Sequence, residues 1–278
     1  MYGDLLSARP FICISSAPLN RPGASPASLL AYDSHAAPAD CVFVHGAGGN
    51  SLLWSRTLQA LSGGSRALAV NLPGHPSGPI TCRSVGEYAD SVHEFISSEG
   101  LAPVSVCGHS MGSAIALTLA LDHPADVRAL ILVGAGAKLG VSPAILGGLA
   151  DKPLRAIEEL ITPLSFHSVT LEAGREARTA LSLSNLAVFL NDYAACDGFD
   201  VRGRLNEVGV PTLVACGDDD RMTPPRFGAF LGEKIRGAAV RTVAGAGHMV
   251  PLEKPAELGA MIQDFLSGDH FQSDAQRP

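Results

Sequence analysis

A chain of 278 residues, 46% hydrophobic and 17% charged, is long enough to bury a sizeable core, as one large α/β domain or two smaller ones. Its formal net charge of −7, with no Lys/Arg cluster to meet phosphates, argues against nucleic acid or an anionic membrane as the main partner. A small, largely uncharged ligand is expected instead.

Residues 1 to 40 are rich in Pro, Ser and Ala and hold two candidate strands, Phe11 to Ile14 and Leu29 to Tyr32, which read as a hairpin at a sheet edge. The start of the chain lacks the basic segment and apolar stretch of a secretory signal, and no run approaches about 18 apolar residues, so a cytoplasmic protein is expected. Cys41 to Val44 is a β-rich apolar run that ends in the glycine-rich His45-Gly46-Ala47-Gly48-Gly49-Asn50. Helical spacing from Ser51 to Leu61 stops at Gly63-Gly64, and the strand-like Ala67 to Val70 leads into Asn71-Leu72-Pro73-Gly74-His75. Ser84-Val85-Gly86-Glu87 is a capping box that opens a helix to about Glu99. Val104 to Cys107 and Ala129 to Val133 are further continuous apolar runs flanking a helical pattern from Ser113 to His123. Strands that are apolar throughout and alternate with helices indicate a parallel sheet covered on both faces.

The alternation breaks between Lys138 and Asp200. Only helical patterns occur there, at Ala144 to Leu149, Leu154 to Ile161, Leu171 to Leu183 and Leu186 to Ala195, as expected of an inserted helical cap. The α/β rhythm returns with a strand at Thr212 to Cys216, a helix at Arg226 to Ile235, a strand at Val240 to Val243 and a helix at Ala256 to Leu266, before a polar tail from Gly268. Cys13, Cys41, Cys82, Cys107, Cys196 and Cys216 have no C-x-x-C spacing and read as reduced thiols.

Gly108-His109-Ser110-Met111-Gly112 spells G-x-S-x-G between a strand and a helix. A serine on so sharp a turn stands clear of its neighbours, with the positive end of the following helix beside it. Two other loops leave strands on the same carboxyl side of the sheet, carrying Asp218-Asp219-Asp220 and His248. A serine alcohol needs a base to take its proton, and the base needs an acid to fix its tautomer, so nucleophile, acid and base are all at hand. The local reading excludes Asp218 as too early in the loop and leaves Asp219 and Asp220 open, with the unused aspartates turned to water. The backbone N–H groups of Met111 and of Ala47 are the expected oxyanion donors. His45 and His109 are expected to support loops, and His75, His93, His123, His167 and His270 to be surface or packing residues; none is spaced as a metal ligand.

With its His45-Gly46 loop, Asn71-Leu72-Pro73-Gly74-His75, the serine turn, Gly217 to Pro224 and Gly247-His248, the chain resembles the α/β-hydrolase superfamily over nearly its whole length. The likeness implies an eight-stranded, mostly parallel sheet with helices on both faces, a core of residues 1–137 and 201–278, a cap of residues 138–200, and a Ser110-Asp220-His248 triad. Members with the acid after the sixth strand carry a carboxylate behind the segment matched by Ala129 to Val133; Gly134 to Ala150 has none, which favours the later aspartates. Pro76 departs from the glycine common in relatives and touches no triad member. The implied activity is hydrolysis of a small-molecule carboxylic ester without cofactor or metal, with Ile145, Phe166, Phe189 and Leu190 of the cap lining an apolar substrate pocket. Carbon–carbon bond hydrolysis by the same triad, and a ligand receptor that retains the triad, are the alternatives. Oligomeric state is left open.

Overall fold

The computed structural model describes residues 31–33, 39–61 and 66–268. The candidate strand Phe11 to Ile14, the start of Leu29 to Tyr32, Gly63-Gly64, Cys13 and the tail beyond Gly268 lie outside the described residues. Seven strands form one sheet: β1 (Ala31–Asp33), β2 (Ala39–Val44), β3 (Arg66–Val70), β4 (Val104–His109), β5 (Val127–Val133), β6 (Thr212–Gly217) and β7 (Ala239–Val243). Their order is β1-β3-β2-β4-β5-β6-β7. Six strands run parallel, and β1 pairs antiparallel with β3 at the edge. Where eight strands were expected, seven occur among the described residues.

Cross-strand register explains why the strands read as unbroken apolar runs. Ala69, Phe43, Cys107, Ile131 and Leu213 pair in one row across the sheet, and all belong to the core on one face. Val42, Val106 and Leu130 form the adjacent row and belong to the core on the other face. Successive side chains point to opposite faces, so covering both faces buries every position. α1 (Ser55–Ala60) and residues before it cover the first face with Trp54 and Leu58; α2 (Val85–Ser98) and α3 (Met111–Asp122) cover the second with Tyr88, Ile96, Ala114 and Leu117. The Ser84 hydroxyl accepts from the Glu87 N–H at 3.2 Å, as the capping box requires.

Between β5 and β6 the chain is helical. α4 (Pro143–Asp151), α5 (Pro153–Ala156), α6 (Thr162–Ser165), α7 (Leu171–Leu183) and α8 (Leu186–Asp197) form an insertion whose two ends meet in a bridge between Lys138 and Asp200. The expected helix Leu154 to Ile161 continues to Ser165 through a π segment, Ile157–Ile161. Pro163 has no N–H for the Glu159 carbonyl, and the Thr162 N–H instead reaches the Ile157 carbonyl, so the turn widens rather than ends. α9 (Pro225–Lys234), α10 (Val250–Glu253) and α11 (Pro255–Leu266) complete the chain, with Leu258 and Ile262 of α11 on the face covered by α1.

Candidate active site

Parallel strands bring the loops after β2, β4, β6 and β7 to one edge of the sheet. Ser110 lies between β4 and α3 at φ 55°, the only described non-glycine residue in that half of backbone space. The surrounding structure overdetermines this turn. The Ser110 N–H donates to the Val133 carbonyl at 2.9 Å, and the buried Ser113 hydroxyl lies 2.6 Å from the Gly108 carbonyl and 3.0 Å from that of Val133. A Cβ at Gly108 would overlap the Gly112 carbonyl, and one at Gly112 the Val44 carbonyl, so both positions of the motif need glycine for close approach. Met111 opens α3, and its N–H is one of the four that no intrahelical carbonyl accepts.

The aspartate triplet divides into three roles. Asp220 is buried, and its Oδ2 faces His248 Nδ1 at 2.8 Å and accepts from the Thr223 hydroxyl at 2.8 Å. Its Oδ1 accepts the N–H groups of Met222 at 2.9 Å and Thr223 at 2.8 Å. Burial alone would raise its pKa, but the charge and hydrogen bond of His248, with the Thr223 bonds, hold it below the ordinary carboxylate value. Asp219 is half-buried and meets Arg221 at 3.1 Å and His167 at 3.2 Å. Asp218 is exposed, as expected, and its Oδ1 also accepts from the N–H groups of Gly245 at 2.9 Å and Ala246 at 3.3 Å. It ties its own loop to the one that carries His248, because the turn after β7 leaves two N–H groups without other acceptors.

With Nδ1 directed at a carboxylate, His248 carries its proton there and leaves Nε2 as the basic atom. The rest of its loop is held by His109, whose Nε2–H donates to the His248 carbonyl at 2.9 Å. Burial, and then the neighbouring His248, pushes the pKa of His109 down to about 3, so this ring stays neutral 4.8 Å from that of His248. His45 is likewise neutral, its pKa lowered to about 3 chiefly by burial. It donates from Nδ1 to the Gly46 carbonyl at 2.8 Å and accepts the Leu72 N–H at 3.1 Å. Both histidines therefore act as fixed polar struts. His75, expected at the surface or in packing, is buried, with Nε2 2.8 Å from Asp192 of α8.

Ser110, His248, His109 and Ala47 border one cavity of about 780 Å³ roofed by the insertion. Of the four expected pocket residues, Phe166 and Phe189 line it, whereas Ile145 and Leu190 do not. Ile145 packs with Leu149 and Ile157 in the insertion's own core, and Leu190 lies against that core. One helical turn explains the error: Phe189 and Tyr193 share a face of α8 that looks into the cavity, while Leu190 is turned about 100° away from Phe189. Ile157, Ile161 and Tyr193 are lining residues that the sequence reading missed, although the i, i+4 spacing of each pair was available as a signal.

Among the described residues, His93, His123 and Asp126 bring possible metal-ligand atoms within 4.8 Å of one another. The two rings stack at 3.9 Å and 10°, so their in-plane lone pairs lie side by side instead of converging. The cluster lies near the amino end of β5, at the opposite edge of the sheet from Ser110. No helix among the described residues is long and apolar enough to cross a membrane.

The fold and this arrangement define an α/β hydrolase. The chain belongs to the alpha/beta hydrolase family, whose family model matches residues 41–260. It is similar to pimeloyl-[acyl-carrier protein] methyl ester esterase of Neisseria meningitidis serogroup B, 26% identical over 240 residues that cover 81% of this chain and 92% of that one. It is also similar to 2-hydroxy-6-oxononadienedioate/2-hydroxy-6-oxononatrienedioate hydrolase 2 of Pseudomonas putida, 28% identical over 253 residues, 81% of this chain and 86% of that one. A solved structure of a thermophilic esterase superposes with a TM-score of 0.74 at 33% identity, covering 82% of this chain and 89% of that one.

Proposed function

We propose that this chain is a serine hydrolase that cleaves carboxylic esters of small, largely apolar substrates. The observation that carries the reading is a buried Asp220 held 2.8 Å from His248 Nδ1, with His248 and Ser110 bordering one cavity. The Ser110 hydroxyl attacks the ester carbonyl while His248 Nε2 takes its proton, and the same proton then passes to the leaving alcohol. Water attacks the acyl-enzyme by the same route, losing its proton to His248 and returning Ser110 to the alcohol. Negative charge on the tetrahedral oxygen is met by the N–H groups of Ala47 and Met111, each such donor being worth about 10² to 10³ in rate. The substrate's acyl or alcohol part lies against Phe166, Phe189 and Ile161 beneath the insertion, which acts as a cap. The esterase among the relatives and the esterase among the solved structures support the ester as substrate class.

A fluorophosphonate probe should label Ser110, followed by turnover of a panel of esters, thioesters, lactones and dienol diketones in which the esters are cleaved fastest. Ser110→Ala should fold normally and lose both labelling and turnover. Ester hydrolysis by that variant at the wild-type rate, or a preference for the diketones, would refute the reading.

A further inference from the structure

One residue of the glycine-rich loop is held on three sides by the insertion. Gly49 donates to the Gly46 carbonyl at 3.1 Å, closing a turn whose central residues are Ala47 and Gly48, and Gly48 has the positive φ, 64°, that glycine supplies at such a position. The Gly48 N–H donates to Asp192 Oδ2 at 2.8 Å. Its carbonyl accepts the Ser184 hydroxyl at 3.3 Å, and a Cβ on its backbone would overlap the ring of Phe189. Phe189 and Asp192 are three residues apart on α8 and so share a face.

Asp192 is fully buried, and an unpaired carboxylate there would be prohibitive. Its remaining acceptor capacity goes to His75 Nε2 at 2.8 Å and the Tyr88 hydroxyl at 2.7 Å, so segments after β2, after β3 and from α2 converge on one side chain of the insertion. The contact to Gly48 orients a peptide. If the Ala47–Gly48 peptide flipped, its carbonyl would face the Asp192 carboxylate, and two acceptors would meet in the interior.

We propose that Asp192 is a positioning residue for the oxyanion hole: by holding the Gly48 N–H it locks the Gly46-to-Gly49 turn, and with that turn the preceding Gly46–Ala47 peptide that carries the Ala47 N–H, so the insertion and the hole are assembled together. The proposal rests on the reading of Ser110 as nucleophile and of Ala47 as a donor. Asp192→Leu keeps a similar shape but removes both acceptor oxygens, leaving the Gly48 N–H without its partner. The rate at which a fluorophosphonate reacts with Ser110 should fall about 10- to 100-fold, because the phosphonyl oxygen also enters the hole. The kcat for an ester should fall by the same factor, with KM changed less than about threefold, since the loss is confined to the transition state. A merely structural Asp192 would lower the unfolding midpoint and leave kcat unchanged below it. An unchanged reaction rate in the folded variant, or a loss confined to KM, would overturn the proposal while leaving the Ser110 reading intact. No reaction of the wild-type protein with the probe would overturn the Ser110 reading, and this one with it. Amide exchange in the wild-type protein supplies a readout that does not depend on the variant folding. The Gly48 amide should exchange at least about 100-fold more slowly than that of an exposed loop residue such as Gly203, and equal rates would overturn the proposal.

Discussion

Acid should unfold this protein through two buried histidines that take no part in the proposed proton transfers. His45 and His109 are buried and neutral, with pKa values lowered from 6.5 to about 3. Between those values the unfolded chain binds a proton at each position and the native chain does not, so stability is full above pH 6.5 and is lost as pH falls towards 3. Each group contributes a slope of up to about 1.4 kcal/mol per pH unit, and the two together up to about 3. From about pH 6.5 to pH 4.5 the loss approaches 5 kcal/mol, comparable with the whole stability of a marginal domain. The ionised Asp220 adds no loss in this range: its pKa is lowered, so its contribution is present above the unfolded value near 3.9 and disappears only as pH falls through the still lower native one.

Trp54 supplies the assay. It is the single tryptophan, it is buried, and its ring lies 6.4 Å from that of His109 in an edge-on arrangement, so its fluorescence reports the collapse of this region. Urea midpoints taken in steps from about pH 7.5 to pH 4.5 should fall steadily below about pH 6.5. His109→Gln keeps an N–H donor for the His248 carbonyl and removes one titrating ring, so its slope should be shallower by about 1.4 kcal/mol per pH unit. A flat wild-type profile, or an unchanged slope in the variant, would refute the account of both histidines as neutral struts.

Asp220→Asn should lower kcat by up to about 10⁴, because an amide facing Nδ1 favours the wrong imidazole tautomer; a loss below about tenfold would remove Asp220 from the acid role. Asp218→Asn should leave the tautomer alone and destabilise the loops it joins by about 1 kcal/mol in urea titrations, whereas Asp219→Asn should change neither kcat nor stability appreciably. Phe166→Ala should shift the preferred ester chain length, and Ile145→Ala should cost about 2 to 5 kcal/mol with the order of ester rates unchanged. The reverse pattern in a matched ester series would show the cavity lining to be misassigned.

Much of the fold was legible because it depends on local signals. Apolar runs of strand length, the Ser84 cap and the glycine spacing around Ser110 each declare a conformation within a few residues. The pocket was harder, since periodicity identifies an apolar face and not which of two apolar surfaces it meets. Ile145 and Ile157 look alike in sequence, yet only Ile157 reaches both the insertion's core and the cavity. The tie that the exposed Asp218 makes to the loop of His248 was illegible for a related reason: the N–H groups it meets lie 27 and 28 residues further on.

Asp192 is the extreme case. On α8 it follows Asn191 as the second of two polar residues in an otherwise apolar stretch, and its partners Gly48, His75 and Tyr88 lie 144, 117 and 104 residues earlier. Periodicity finds the residues that obey the burial rule, and the candidate site is built from residues that break it: a serine at φ 55°, two neutral histidines and two carboxylates sunk in the interior. Each exception is tolerated only because several segments supply partners at once. The motif at Ser110 announces its exception locally, since its glycines lie within two residues. An exception whose partners come from the loops after β2 and β3 and from α2 has no local trace, and it is visible only once the sheet has brought those segments together.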